Sequence, residues 1–436
     1  MIFDGFKADL SWDGDRWSAI DVRVAHRTGE ITGDVLSLPG DFRTRMKSSI
    51  NPKVLAPLLS GRAAEWFRQF DFFESAKIDL EATGTEPTLA ALTLRGRLEL
   101  GRCSYRGVPA RSFRAAVRYS DRRLAFSPFR VERTEGAGAG SMTFDFKRDE
   151  VRFERIRTNV NPTEVIEWID PKLRPHLAPY RFKKSPPNLL IDGLVHTKGG
   201  RSTRLTIDVD APGGMDYTFL KRDLHFPQIG AKLEFKDELL QISKLNAGLF
   251  GGQLRGGADI SLQKMRPGHR ANLRLDNVDF ASLTKLYFNY DDSHGRLFAD
   301  YQFTGRGDDP RTMAGRGEVT VTNGHVFAIP FLGPISGVLD SIVPGMGKDV
   351  AHKASASFAI DHGIIQTDDL LVEGRGFSMI GGGKLMYLDD QMDFDLRINA
   401  QGLPGVLLFP VSKLFEYAAD GKLSKPAWRP KRLPRL

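Results

Sequence analysis

The chain has 436 residues, of which 41% are hydrophobic and one is a cysteine, so an internal disulfide is excluded and a large apolar surface must be accommodated. The formal net charge of +8 favours acidic partners such as anionic lipid headgroups, lipopolysaccharide phosphates or nucleic acid. No recognition helix, zinc finger or aromatic-plus-basic platform is visible, which argues against nucleic acid, and no apolar run reaches the ~18 residues of a membrane span.

One pattern recurs four times, in windows that open at Phe6, Phe113, Ile229 and Ala354. In each window apolar residues alternate with others, a short polar turn follows, and apolar residues then resume. The turns are residues 13–15, 120–122, 236–238 and 361–363. This order is typical of a β-hairpin. A glycine at the same later offset predicts a third strand with a bulge or a close backbone approach. These glycines are Gly33, Gly140, Gly256 and Gly381.

A strand-like run that ends in a helix-start signal follows each hairpin pattern. The signals are Asn51-Pro52, Asn161-Pro162, Asp279-Phe280 and Leu403-Pro404. Asparagine or aspartate caps the first amides of a helix, and proline is favoured at its first position. Each repeat is therefore predicted to contain several strands, one short helix and return strands.

These repeats predict a mainly β fold, an elongated twisted sheet built from four strand-rich modules with short helices between the strands. The modules are residues 1–112, 113–228, 229–353 and 354–436. Alternating residues are expected to form one apolar face. The candidates for it are Leu10, Trp12, Val117, Tyr119, Leu233, Phe235, Phe358 and Ile360. The same residues fit a closed two-layer core equally well.

Side chains that carry chemistry form no recognisable site. The nine histidines lack metal-ligand spacing, and the glycine-rich runs 248–257 and 374–383 lack the ending of a phosphate-binding loop. The acidic groups at 291–292 and 389–395 fit solvated strand faces better than a cation site. Cys103 is interpreted as a small buried strand residue. We expect no catalytic residue, metal or cofactor.

One apolar segment, bounded by Pro330 and Pro344, has helical spacing. Its apolar residues are Phe331, Ile335, Leu339 and Ile342. Such a helix can lie in a membrane interface, so these four are candidates for membrane contact. The alternative is a cap that packs over one end of the sheet. A second apolar stretch, 406–415, allows the same two interpretations.

Several short motifs in the second half of the chain carry a family resemblance. They include Gly305-Arg306-Gly307, Gly315-Arg316-Gly317, Asn323-Gly324-His325, Gly374-Arg375-Gly376, Gly381-Gly382-Gly383 and the ending Pro426-Ala427-Trp428. In these motifs the chain resembles the C-terminal region of AsmA-like proteins. The similarity is clearest from about Leu233 to the C-terminus, and before that it consists of the repeat alone.

The resemblance implies a repeating β-groove, a long sheet curled into a trough with an apolar floor. AsmA-like proteins belong to the envelope of diderm bacteria, are anchored in the inner membrane with the groove in the periplasm, and are associated with moving phospholipid toward the outer membrane. The implied ligand is phospholipid or another envelope lipid, with inner- or outer-membrane proteins as further partners. The chain itself begins inside the first window, so we expect an anchoring N-terminal segment to be absent from it.

Three functional hypotheses follow. The first is conduction of lipid by an apolar groove, which covers acyl chains and needs no catalytic residue. The second is a periplasmic scaffold or assembly factor for outer-membrane proteins, which predicts a protein partner at an exposed edge strand. The third is an enzyme acting on an envelope glycan or lipid, which needs clustered carboxylates or a nucleophile in one pocket.

Overall fold

The computed structural model describes residues 3–58, 64–65, 67–168, 174–196, 203–219, 222–263, 268–291, 293–307, 309–329, 331–342, 351–400 and 416–431. The protein is mainly β, with 66% of the residues in strands and 9% in helices. Of the strands, 24 belong to one large, curled antiparallel sheet. The predicted mainly β fold class is therefore confirmed.

The chain divides into two units. Unit 1 contains residues 1–216 and 233–237, and unit 2 contains residues 217–232 and 238–436. The strands of unit 1 are β1 (Gly5–Asp13), β2 (Arg16–His26), β3 (Gly29–Leu38), β4 (Asp41–Ser48), β5 (Phe70–Phe72), β6 (Ala76–Gly84), β7 (Leu92–Leu100), β8 (Cys103–Tyr105), β9 (Val108–Ala110), β10 (Ser112–Ser120), β11 (Arg123–Glu132), β12 (Ala137–Asp145), β13 (Glu150–Thr158), β14 (Tyr180–Arg181), β15 (Asn188–His196) and β16 (Arg204–Ala211). The units divide within β17 (Met215–Phe219) and β19 (Ile229–Lys236).

The remaining strands lie in unit 2. They are β18 (Arg222–Phe226), β20 (Leu239–Leu249), β21 (Gly252–Ser261), β22 (Gly268–Asp279), β23 (Arg296–Arg306), β24 (Asp309–Thr322), β25 (Lys353–Asp361), β26 (Ile364–Glu373), β27 (Phe377–Met386), β28 (Gln391–Ala400), β29 (Glu416–Lys422) and β30 (Ala427–Pro430). Each of the pairs from β20–β21 to β29–β30 along this series is antiparallel. Consecutive strands are thus neighbours, which explains why local turn signals in the sequence predict the sheet so well.

The helices are short and lie between groups of strands. They are the 3-10 helices Pro52–Leu58, Ile166–Trp168 and Val326–Ala328, and the α-helices Pro162–Val165, Arg174–Leu177, Phe280–Phe288 and Ile335–Ile342. The predicted helix starts at Pro52, Pro162 and Phe280 are confirmed. At the last of these, the Asp279 carboxylate accepts a hydrogen bond from the backbone N–H of Ser282 at 2.9 Å. The start predicted at Leu403-Pro404 lies outside the described residues.

Three of the predicted hairpins form β1–β2, β10–β11 and β25–β26, and the third window of the chain spans the division between the two units. The last apolar residue before each turn pairs with the first one after it. These pairs are Trp12 with Trp17, Tyr119 with Leu124, and Ile360 with Ile365. The turn positions read from the sequence are therefore confirmed.

The recurrent glycine has one structural role in all four windows. It lies opposite the residue that immediately follows a bulge in the preceding strand. The pairs are Gly33 with Val22, Gly140 with Phe129, Gly256 with Leu245, and Gly381 with Leu370. A Cβ atom at Gly33 would stand 2.2 Å from the backbone oxygen of Arg45. The predicted close backbone approach is confirmed, whereas the bulge lies in the strand that precedes the glycine and not in the third strand itself.

Candidate functional site: the apolar face of the sheet

One face of the sheet in unit 1 carries apolar side chains from strand to strand. Val117 of β10 lies opposite Gly96 of β7 and Phe126 of β11. Phe126 lies opposite Met142, which lies opposite Phe153. Directly paired residues of an antiparallel sheet project from the same face. The next row contains Leu94, Tyr119, Leu124, Phe144, Val151 and Val195. We call this surface the unit 1 apolar face.

The four candidates from the first two windows all belong to the unit 1 apolar face. One row consists of Leu10, Ala19, Val35, Thr44, Ala82, Leu94 and Tyr119. Trp12 and Val117 lie in the rows on either side of it. The structure therefore places these four residues, which are up to 109 positions apart by their numbers in the sequence, on one surface.

The opposite face of the same strands is charged. One of its rows consists of Asp34, Arg45, Glu81, Arg95, Arg118, Ala125, Thr143 and Arg152. Within this row the guanidinium of Arg95 lies 2.9 Å from the carboxylate of Glu81. The side-chain period of two in a strand separates the two kinds of residue. Unit 1 therefore presents an amphipathic sheet, with charges on one side and apolar groups on the other.

The apolar side is largely accessible in the described part of unit 1. Five residues of these rows are buried at exposures of 4% to 9%, but most of the larger side chains on this face are only half-buried. The buried residues are Ala19, Ala82, Ala115, Phe126 and Val151. The half-buried residues include Leu80, Leu94, Leu98, Val117, Tyr119, Leu124, Met142, Phe144 and Phe153. On the first strand, Leu10 and Trp12 are 72% and 78% exposed. A closed two-layer core would bury these side chains, so the described residues of unit 1 leave an open apolar surface.

Unit 2 has an apolar face of the same kind. One row consists of Ile242, Ala258, Ala271, Phe303, Gly315, Ile360, Ile365, Leu385 and Met392. Phe358 lies opposite Gly317, and its ring centroid is 5.7 Å from that of Tyr301. Tyr301 stacks on Phe303 at 4.9 Å. A Cβ atom on Gly317 would lie 2.8 Å from the Phe358 ring, so the glycine makes room for the aromatic group.

One end of the unit 2 apolar face is covered. A row of side chains with exposures of 8% or less crosses β22 to β28, namely Val278, Leu297, Val321, Ala354, Val372, Met379 and Ile398. The helix Ile335–Ile342 packs in the same core, where Ile335 and Leu339 are both 0% exposed. Phe331 is partly buried against this core, 5.7 Å from Phe394 between ring centroids.

This packing decides where the membrane-contact candidates lie. Ile335, Leu339 and Phe331 face the interior of unit 2, which corresponds to the alternative of a cap over the sheet. The side chain of Ile342 and the stretch 406–415 lie outside the described residues. Among the helices in the described ranges, none combines the length and the apolar character needed to cross a membrane.

Leu233 and Phe235 lie on β19, where the alternation of side chains places them on the same face of the strand. Both are half-buried. Phe358 is also half-buried. Ile360, which pairs with Gly315 on one side and Ile365 on the other, is buried at 9% exposure.

The polar face of unit 2 carries an open depression of about 830 Å³, with Asp300, Glu318 and Asp368 in its lining. Asp369, which also lines it, accepts a hydrogen bond from the Ser357 hydroxyl at 2.6 Å, and this bond lowers the pKa of Asp369. A general acid at neutral pH needs the opposite shift. Within the described ranges, no group of three or more His, Cys, Asp or Glu side chains is arranged to hold a metal ion.

Cys103 lies buried in β8, which confirms its interpretation as a structural strand residue. Burial raises the pKa of its thiol, and the charge of Glu74 raises it further. The thiol is therefore protonated at neutral pH, whereas a catalytic cysteine needs a depressed pKa.

The assignment of an apolar and a charged face rests on the residues of this chain alone. No family model, no curated protein and no solved structure matches it. The candidate site is defined by strand register, burial and charge.

The candidates predicted from the sequence lie only on the first strand of each hairpin, so they leave out much of the apolar face. The missed residues include Leu94, Leu98, Phe126, Met142, Phe144, Phe153, Tyr301 and Phe303. A signal for some of them was present: in the run 92–100, leucine alternates with charged residues around Gly96. Applying the period of two to every predicted strand finds the leucines of β7. It finds the aromatic residues of β23 in the same way.

We expect Tyr301 to make the folded state less stable at high pH. Burial, followed by the charge of Tyr387, raises the pKa of Tyr301 to about 12, from an ordinary value of 10.0. Between these two pH values the unfolded chain loses the phenol proton and the folded chain keeps it, so the free energy of unfolding falls as pH rises. Urea unfolding at several pH values should show this fall. The fall should be smaller in Tyr301→Phe, and an equal fall in both proteins would contradict the assignment.

Proposed function

We propose that this protein binds the acyl chains of lipids along its apolar faces. The supporting observation is the set of neighbouring apolar rows in unit 1, in which Leu94 and Tyr119 are half-buried and Leu10 is exposed, backed by a charged face. Each CH₂ group removed from water contributes about 0.8 kcal/mol, so a chain of ordinary acyl length gains several kcal/mol by lying on such a surface. Binding of this kind needs no catalytic group, and we propose that the protein is not an enzyme.

We propose further that the protein conducts phospholipid between the inner and outer membranes of a diderm bacterium and acts in the periplasm. The resemblance of the second half of the chain to AsmA-like proteins supports this proposal, as does the antiparallel sheet that the repeats predict. A surface that is apolar over successive strands keeps acyl chains covered at every step, whereas free transfer exposes both chains to water. The net charge of +8 suits the anionic headgroups of envelope lipids.

The experiment compares lipids that co-purify with three forms of the full chain, quantified by mass spectrometry. The forms are the wild type, Phe358→Asp and Ala359→Asp. Phe358 points to the apolar face, while its exposed neighbour Ala359 lies on the opposite face, across from Arg316 and Gln366. We expect phospholipid with the wild type and Ala359→Asp, and loss of most of it in Phe358→Asp, because a buried carboxylate beside acyl chains is costly.

Two results would contradict the lipid proposal. A folded wild-type protein that carries no lipid favours the scaffold or assembly-factor alternative, which predicts an outer-membrane protein partner instead. Equal loss of lipid in Phe358→Asp and Ala359→Asp places the lipid elsewhere than on the apolar face. Circular dichroism of each variant separates loss of binding from loss of fold.

A further inference from the structure

The first strand of the sheet has an unpaired outer edge in the described part of the chain. β1 pairs with β2 alone, whereas its repeat equivalents, β10 and β25, are each paired on both sides. The burial of equivalent residues differs accordingly. Leu10 and Trp12 are 72% and 78% exposed, while Val117 and Tyr119 at the same repeat positions are half-buried. The unpaired backbone N–H and C=O groups of an edge strand are a template for another strand.

The junction between β7 and β10 gives an example of a strand paired at the equivalent edge of another repeat. Arg114 of β10, the repeat equivalent of Lys7, lies opposite Glu99 of β7. Ala116, the equivalent of Asp9, lies opposite Arg97. The neighbouring strand β7 therefore carries a base, Arg97, followed two residues later by an acid, Glu99. Any antiparallel strand in which an acid follows a base by two residues has the same order of charges as β7.

β1 itself has this order. Asp9 follows Lys7 by two residues, on the face opposite to Phe6 and Leu10. Within β1–β2, Lys7 lies opposite Arg23 and Asp9 lies opposite Ile20, so neither finds an opposite charge across this pair. Among the described residues neither one takes part in an ion pair. Both charges are therefore available to a strand added at the outer edge.

We propose that β1 pairs in antiparallel fashion with β1 of a second copy of this chain, with Ala8 on the two-fold axis. In this register Lys7 of each copy lies opposite Asp9 of the other, which forms two ion pairs. Phe6 lies opposite Leu10 of the second copy, so the apolar faces of the two copies continue one another. Such an interface is isologous, as expected for a dimer with two-fold symmetry.

Neighbouring registers are less favourable for a physical reason. Centring the pair on Asp9 brings two carboxylates together, and centring it on Lys7 brings two ammonium groups together. A shift of one residue places the apolar face of one copy beside the charged face of the other. Ala8 is the small residue at the centre, and its equivalent Ala115 is buried at 6% in the junction of β10 with β7.

Sedimentation equilibrium of the full chain tests the proposal. The wild type is expected to dimerise, and Asp9→Lys is expected to raise the dimer dissociation constant by about tenfold or more, because two attractive cross-strand pairs become repulsive. The double variant Lys7→Asp/Asp9→Lys restores the opposite charges and should return the constant to near the wild-type value. This rescue distinguishes the specific register from a general effect of charge.

A cross-linking experiment adds a direct measure of the register. Ala8→Cys should form an intermolecular disulfide on mild oxidation, because paired Cα atoms about 5 Å apart lie within bonding range. Ser11→Cys, on the same strand but away from the axis, should not, and the single native cysteine is buried. A wild type that stays monomeric at high concentration overturns the proposal. So does a dimer that Asp9→Lys leaves intact or a variant that the charge swap fails to rescue.

Discussion

Replacing Leu339 with alanine is expected to lower the free energy of unfolding of unit 2 by about 2–5 kcal/mol. Leu339 is 0% exposed on the helix Ile335–Ile342 and packs in the core formed with β22 to β28. Removing the side chain leaves a cavity between this helix and the sheet, so packing is lost in addition to the transfer free energy. Equilibrium urea unfolding, with hydrogen exchange of the β26–β28 peptides, measures the loss.

The matched control is Gly337→Ala on the same helix. Gly337 is exposed, and a Cβ atom built there meets nothing within 4 Å. Alanine should therefore stabilise the helix by up to about 1 kcal/mol, since glycine is the poorer helix former. If Leu339→Ala unfolds with the same midpoint as the wild type, the helix does not cover the sheet as the structure describes.

Replacing Gly256 with alanine is expected to cost about 3 kcal/mol, at the upper end of what overpacking causes. A Cβ atom at Gly256 would lie 2.1 Å from the backbone oxygen of Asn272 on the neighbouring strand. Because that oxygen belongs to the backbone, relief requires β21 and β22 to move apart. The effect should appear in urea unfolding and as faster hydrogen exchange in β20–β22.

Gly268→Ala serves as the control for Gly256→Ala. Gly268 begins β22, and the nearest atom to its Cβ position, the backbone oxygen of Gly305, is 3.7 Å away, an ordinary contact. This variant should unfold within about 0.5 kcal/mol of the wild type, as surface substitutions do. Equal effects of the two substitutions would show that the repeat glycine is not selected by close packing.

Local structure was predictable because its signals are local. The hairpin turns at 13–15, 120–122 and 361–363 follow from polar residues between two alternating runs. The helix starts at Pro162 and Phe280 follow from a side chain that caps amides two or three residues away. The role of Gly256 was also foreseen, because glycine is the one residue that admits a backbone oxygen at such a distance.

Two choices could not be made from the sequence. Trp12 and Ile360 occupy the same position of the repeat, yet their exposures are 78% and 9%. The difference arises because Ile360 has paired strands on both sides, whereas Trp12 has one. Likewise, the helical spacing of Ile335 and Leu339 fits a membrane surface or a protein core, and their contacts with the core of unit 2 decide between them.

The sequence by itself determined the strands, their turns, the repeat and the division of each strand into an apolar and a charged side, because these depend on periodicity and on neighbours a few residues away. Tertiary structure alone decided which apolar residues are covered and which stay accessible. That outcome depends on residues far apart in the chain, such as Leu339 and Met379, which share one core, and Leu10 and Tyr119, which share one open row. Burial is a property of all neighbours in space, and a linear pattern records only those along the strand.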